Sequence, residues 1–266
     1  RRDGRDLTAE WAAQPDAVYV ENATQLAALD LRRKQRILGL FAHDHLQFDH
    51  DRREDARGEP SLADMTRLAI DALEQRGEGY VLLVEGGRID HAHHLGNAYR
   101  ALDDTLALSE AVRVAGERTS ANDTLILVTA DHAHTMNFVG YPVRGNPILG
   151  LVRHPDADGQ PLPQPALDAL GHPYTTLSYA NGPGHPADAA SAIALAQTDT
   201  AAPDFLQPAT YRLESETHGG DDVAVFARGP GAAAVRGSLE QNVLFHLLVQ
   251  AQPRLRAQLC AIDGCE

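Results

Sequence analysis

Val84-Glu85-Gly86-Gly87-Arg88-Ile89-Asp90-His91-Ala92-His93-His94 follows directly on the apolar run Tyr80-Val81-Leu82-Leu83-Val84. An apolar run of this length bounded by glycines predicts a buried parallel strand. Open α/β sheets place their chemistry at the carboxyl ends of such strands. Glu85 then stands at a strand end, and Gly86 and Gly87 let the backbone turn. If a helix starts at about Asp90, the four-residue spacing sets Asp90 and His94 on one face, able to hold a single ion. Taken alone, the segment has a simpler reading as a solvated acidic turn feeding a helix.

Two further clusters favour metal. Thr124-Leu125-Ile126-Leu127-Val128-Thr129-Ala130 is a β-branched, apolar strand that ends in Asp131-His132-Ala133-His134. Glu216-Thr217-His218-Gly219-Gly220-Asp221-Asp222 runs into a third strand, Val223-Ala224-Val225-Phe226. Mixed oxygen and nitrogen ligands without thiolate suit zinc, with a harder ion at all-oxygen positions. A single histidine at a strand end is usually structural, but three strand ends that each offer carboxylate and imidazole imply an ion.

These segments, with Tyr141-Pro142-Val143-Arg144-Gly145, Gly182-Pro183-Gly184 and the run from Val223 to Pro230, closely resemble the alkaline phosphatases, the animal-type members above all. The resemblance implies an α/β fold, a mostly parallel central sheet flanked by helices in a three-layer sandwich. It implies two zinc ions and one magnesium ion. Asp90, His94 and His218 match ligands of the first zinc, Asp131 and His132 match ligands of the second, and Glu85 matches the magnesium ligand. His91 falls where the family places a catalytic-site histidine beside phosphate and magnesium, and His134 at a position that does not bind metal directly. His93 has no role in the pattern and is expected at the surface. Near Phe41 the animal-type enzymes carry a calcium site built with a glutamate where this chain has Ala42. That departure favours a solvated loop over 41–51, although Glu59 matches another acidic position of that site.

The family's nucleophile is a serine that follows an aspartate, and none of the serines here (61, 109, 120, 178, 191, 215 and 238) does so. The resemblance of Gly4–Trp11 to a segment midway along the family's sequence makes the chain the C-terminal portion of a phosphatase, with the nucleophilic serine outside it. It further implies hydrolysis of small phosphate monoesters through a phosphoserine, a homodimer, a periplasmic or secreted location, and a terminal disulfide between Cys260 and Cys265. Rival readings are a related phosphodiesterase or mutase of the same metallo-superfamily, and a metal-binding remnant without activity.

Composition adds limits. The 266 residues suffice for one large α/β core or two modest domains. No apolar run approaches the eighteen or so residues that span a bilayer. The formal charge of −14 argues against nucleic-acid binding, because phosphates would be repelled. Lys34 is the only lysine, which fits either salt adaptation or a GC-rich genome. The clusters divide the chain into a metal-binding core over 1–150 and 214–266 and an insertion over 151–213, rich in Pro, Gly and Ala, which the resemblance makes the family's crown. Within the core, Ala17–Val20 is an expected strand. A helix is expected from Ser61 to about Arg76, with Ser61 and Asp64 as a capping box. Another follows His94 with Tyr99, Leu102, Leu106, Ala107 and Val112 inward and stops at Gly116. A strand is expected over Tyr174–Tyr179, and a helix from Ser238 to about Gln250.

Overall fold

Residues 3–264 are described in this computed structural model. The first unit is small. Helix α1 (Leu7–Ala12) starts at Asp6, whose carboxylate accepts from the N–H groups of Thr8 and Ala9. Strand β1 (Ala17–Val20) has the bounds expected for it, and after α2 (Ala23–Ala27) it pairs in parallel with β2 (Arg36–Gly39), Val18 opposite Ile37. Val20, Leu26 and Phe41 are buried there, with Ile37, Met65 and Leu68 against them. That cluster ties the ladder to the helical layer.

The helical layer carries the first site segment. After the short α3 (Asp49–Arg52) comes α4 (Leu62–Glu74), capped at Ser61, whose Oγ accepts from Asp64 N–H at 3.0 Å. The Asp64 carboxylate in turn accepts from the Ser61 hydroxyl at 2.6 Å. Helix α5 (Arg88–His94) begins two residues earlier than expected. It ends at Gly96, whose φ of +67° suits glycine. Gly96 N–H donates to His93 O at 2.7 Å and Asn97 N–H to Ala92 O at 2.9 Å, the paired bonds of a Schellman stop. The chain then turns into α6 (Ala98–Arg118), against which α3, α4 and α5 all pack.

Two expectations for α6 are corrected. It passes through Gly116, because Arg228 Nη1 donates to Gly116 O at 2.8 Å and fills the space a side chain would need. Its buried stripe is Ala98, Ala101, Asp104, Ala111 and Val114, while Leu106 is exposed. Small residues face the partner helices, and this lets the axes approach closely.

The sheet is small and mixed, a correction to the mostly parallel one expected. Strand β3 (Ile126–Val128) pairs antiparallel with β9 (Phe226–Arg228), and β4 (Ala133–His134) antiparallel with β8 (His218–Gly219). β5 (Met136–Phe138) lies antiparallel to β6 (Leu177–Gly182), which is parallel to β7 (Ala209–Arg212). The run 80–84 is no strand. Among the described residues nothing pairs with its backbone, and Val81 and Leu83 are 76% and 87% exposed. A strand needs a ladder to satisfy its N–H and C=O groups, and strand-like composition does not supply one. The strand expected at Tyr174 starts at Leu177, and the one expected over Val223–Phe226 begins only at Phe226, as β9.

Apart from β6 and β7, residues 151–213 are mostly turns and single bridges, with one short helix, α7 (Ala189–Ala194). Fully buried Gln207 ties this segment to the core, because its Oε1 accepts from the N–H of Ala98 at the start of α6 (2.7 Å). The chain closes with α8 (Gln241–Ala251), which buries Val249 but exposes Leu248, packed on α9 (Pro253–Asp263). The expected Cys260–Cys265 pairing involves Cys265, outside the described residues. Among the described residues no helix is long and apolar enough to cross a membrane.

Candidate metal centre

The site forms where α5 meets the β4–β8 ladder. On α5 the i, i+4 spacing brings His94 Nε2 to 3.3 Å from Asp90 Oδ1. The β4–β8 ladder sets His134 opposite His218. That ladder requires glycine at 219, where a Cβ would stand 2.8 Å from His134 O. The result is one carboxylate oxygen amid four imidazoles. Asp90 Oδ1 lies 3.1 Å from His134 Nε2, 3.4 Å from His218 Nε2 and 3.7 Å from His132 Nε2. The His132 and His218 rings stack at 3.5 Å, and His218 Nε2 is 3.2 Å from His94 Nε2.

Each of Asp90, His132, His134 and His218 offers a ligand atom, and those atoms all lie within 4.8 Å of one another. His94, His134 and Glu216 form a second such group. Imidazole nitrogens converging on a carboxylate oxygen are the donor set of zinc or a similar divalent ion. Nitrogen lone pairs held this close repel one another unless a cation or a proton lies between them. The residues fit a metal.

The remaining expected residues lie around this group. Asp131 is 88% exposed at its side chain, with Oδ2 3.4 Å from His132 Nε2. Glu85 is exposed, folded back over Gly87, and in neither ligand group. His91 is in neither ligand group. Its Nδ1 is 3.1 Å from Arg88 Nη1, and its ring lies edge-on to His45 at 4.3 Å. Burial, then the Arg88 charge, holds the His91 pKa below its usual value. The Arg88 guanidinium stacks on Phe48 at 3.8 Å. Glu59 is buried and its Oε2 accepts from Gln47 N–H at 2.8 Å.

Two residues escaped the sequence reading. His93 is not at the surface. It stacks on His134 at 4.6 Å and its Nδ1 meets Tyr179 Oη at 2.9 Å, because the third face of α5 turns toward β6. Burial, then the neighbouring His134, lowers its pKa to about 4. Glu216, 1% exposed, supports His134 and His94. Its signal was its place two residues before His218.

The alkaline phosphatase family model matches residues 1–253. The chain belongs to the alkaline phosphatase family. It is 41% identical over 255 residues to the tissue-nonspecific alkaline phosphatase of Gallus gallus, covering 94% of this chain and 47% of that protein. It is 38% identical over 254 residues to an alkaline phosphatase of Gadus morhua, covering 94% and 50%. The chain thus spans about half the length of the curated relatives it matches. The alkaline phosphatase of Thermus thermophilus superposes with a TM-score of 0.62 at 24% identity, over 95% of this chain and 59% of that one. A cold-active alkaline phosphatase of Shewanella sp. gives 0.56 at 21% identity, over 91% and 61%. These likenesses establish the alkaline phosphatase α/β fold, within which the mixed ladders described above sit.

Proposed function

We propose that this chain carries most of the metal centre of an alkaline phosphatase that hydrolyses small phosphate monoesters, its nucleophilic serine supplied by sequence outside residues 1–266. One observation carries the reading. Asp90 Oδ1 has the Nε2 atoms of His94, His132, His134 and His218 all within 3.7 Å. The family membership supports it.

Asp90, His94 and His218 would hold one zinc, His132 and Asp131 a second, and Glu85 a magnesium. Bound zinc supplies positive charge that polarises a phosphoryl oxygen and lowers the pKa of an attacking oxygen. The chain's own part is to aim nitrogens and to place protons. Arg88 only donates, so His91 accepts at Nδ1 and keeps its proton on Nε2, where it can donate to a phosphoryl oxygen. With a formal charge of −14 the surface does not attract anions, and the centre must do so. The protein acts as a homodimer with 151–213 as its crown, in a periplasmic or secreted setting.

The test uses the full-length protein with zinc and magnesium at alkaline pH. Turnover of a chromogenic phosphomonoester at least tenfold faster than that of the matching diester is expected. A preference for the diester selects the phosphodiesterase instead.

A further inference from the structure

We propose that Glu216 is a positioning residue that sets the tautomer and ring direction of His94, a ligand of the proposed zinc, and of His134, which holds Asp90 beside it, an inference that rests on the metal-centre reading above. Its side chain is fully buried. Burying a carboxylate is costly unless donors surround it, and here they do. Oε1 accepts from the Thr135 N–H at 2.6 Å and from the Thr135 hydroxyl at 2.7 Å. Oε2 lies 2.7 Å from His134 Nδ1. An accepting carboxylate requires the hydrogen of His134 on Nδ1, which turns Nε2 toward Asp90 Oδ1 at 3.1 Å.

The main chain of the same residue does for His94 what the side chain does for His134. Glu216 O lies 2.6 Å from His94 Nδ1. A carbonyl only accepts, so His94 carries its hydrogen on Nδ1 and its lone pair on Nε2, beside Asp90 Oδ1 and His218 Nε2. Glu216 N–H in turn donates to His94 O at 2.9 Å. One residue therefore links the end of α5, strand β4 and the segment that delivers His218. Both carboxylate oxygens are engaged at 2.6–2.7 Å, so Glu216 orients ligands and is not one itself.

Glu216→Gln in the full-length protein keeps the volume and an acceptor for Thr135 but turns an NH2 toward His134 Nδ1. Zinc affinity, measured by chelator competition, should fall 10- to 100-fold, the usual effect of losing a partner that orients a metal-binding histidine. The visible spectrum of the cobalt(II)-substituted protein should shift, and the melting temperature without metal should stay near that of the wild type. If Glu216→Gln fails to fold, Thr135→Val, which removes only one donor, should give a several-fold loss in zinc affinity. Wild-type affinity and cobalt spectrum in whichever variants fold overturn the proposal. So does loss of one whole zinc at saturation in Glu216→Gln, which makes the residue a ligand. None of these readouts needs turnover. A wild type that binds zinc but hydrolyses no phosphomonoester defeats the proposed function while the affinity result still decides the role of Glu216.

Discussion

Oδ1 of Asp90 lies 3.1 Å from Nε2 of His134 across 44 residues of chain. The contact joins helix α5 to strand β4 of the β4–β8 ladder, and every other imidazole of the centre lies within 3.7 Å of the same oxygen. Removing that oxygen leaves the ring nitrogens facing one another with no anion between them. In the full-length protein, Asp90→Ala or His218→Ala should lower bound zinc by one ion per chain. Phosphomonoester turnover should fall at least about 100-fold, beyond the effect of losing an orienting partner. Elemental analysis that finds unchanged zinc in both variants sinks the assignment.

Asp104 offers a test by pH. Burial, opposed by the N–H of Asp49 and abetted by the charges of Asp49 and Asp103, raises its pKa from 3.8 to about 6, while Arg88 pulls it down. A raised carboxyl binds its proton more tightly folded than unfolded. Its contribution to stability is present below about pH 4 and is lost as pH rises through 6. Asp104→Asn keeps an acceptor for Asp49 and removes the titration. The variant should gain on the order of 1–2 kcal/mol over the wild type above pH 6 relative to pH 4. Denaturant melts at both pH values check this, and a pH-independent difference refutes it.

How much of this was legible in sequence depends on the range of the interaction. The Ser61 cap, β1 and the Asp90–His94 face are set by neighbours within a few residues, and the sequence placed them correctly. The run 80–84 was misread because strand propensity is local while a ladder partner is not. Glu216 stayed hidden for a similar reason. Its partners Thr135 and His134 lie 81 and 82 residues away, and nothing in its own neighbourhood records them. The stripe on α6 was misread because large apolar residues suggest the buried face, whereas close helix packing selected alanines.

Gly219 tests the link between ladder and site. A methyl group there would press on His134 O at 2.8 Å, so Gly219→Ala must part β4 from β8 or shift one of them. Overpacking of this kind costs about 1–3 kcal/mol, and His218 should move with its strand. Zinc affinity should drop along with the melting temperature. A variant with wild-type affinity shows that His218 does not depend on the ladder.

The segment 151–213 exposes apolar side chains, Leu167 and Leu170 among them, at 57% and 80% exposure, and Tyr141 ahead of it in the chain is 85% exposed. Apolar groups clustered on a surface mark interaction sites. If 151–213 contributes to a homodimer, Leu170→Asp should raise the dimer dissociation constant at least tenfold, read by light scattering on dilution. An unaltered dimer excludes this part of the insertion from the interface. Deleting the whole insertion is the poorer test, because Tyr179 and Gln207 support His93 and the start of α6.

Residues 1–266 expressed alone should show no phosphomonoester turnover above background. Covalent catalysis needs an activated nucleophile held at the metal, and no serine of the chain follows an aspartate. Ser215 is the one to weigh, since its Oγ lies 3.4 Å from His94 Nδ1. That nitrogen already faces Glu216 O at 2.6 Å, so it has no lone pair with which to take the serine proton. The hydroxyl itself lies 3.1 Å from Glu216 O and 3.4 Å from His94 O, where it can only donate. Glu214 and Glu216 flank it, and their charge resists formation of an alkoxide. Exposed Val81, Leu83 and Phe226 also predict that the isolated chain aggregates on warming. A steady-state assay with added zinc and magnesium decides the matter. Turnover that Ser215→Ala abolishes would place the nucleophile inside this chain.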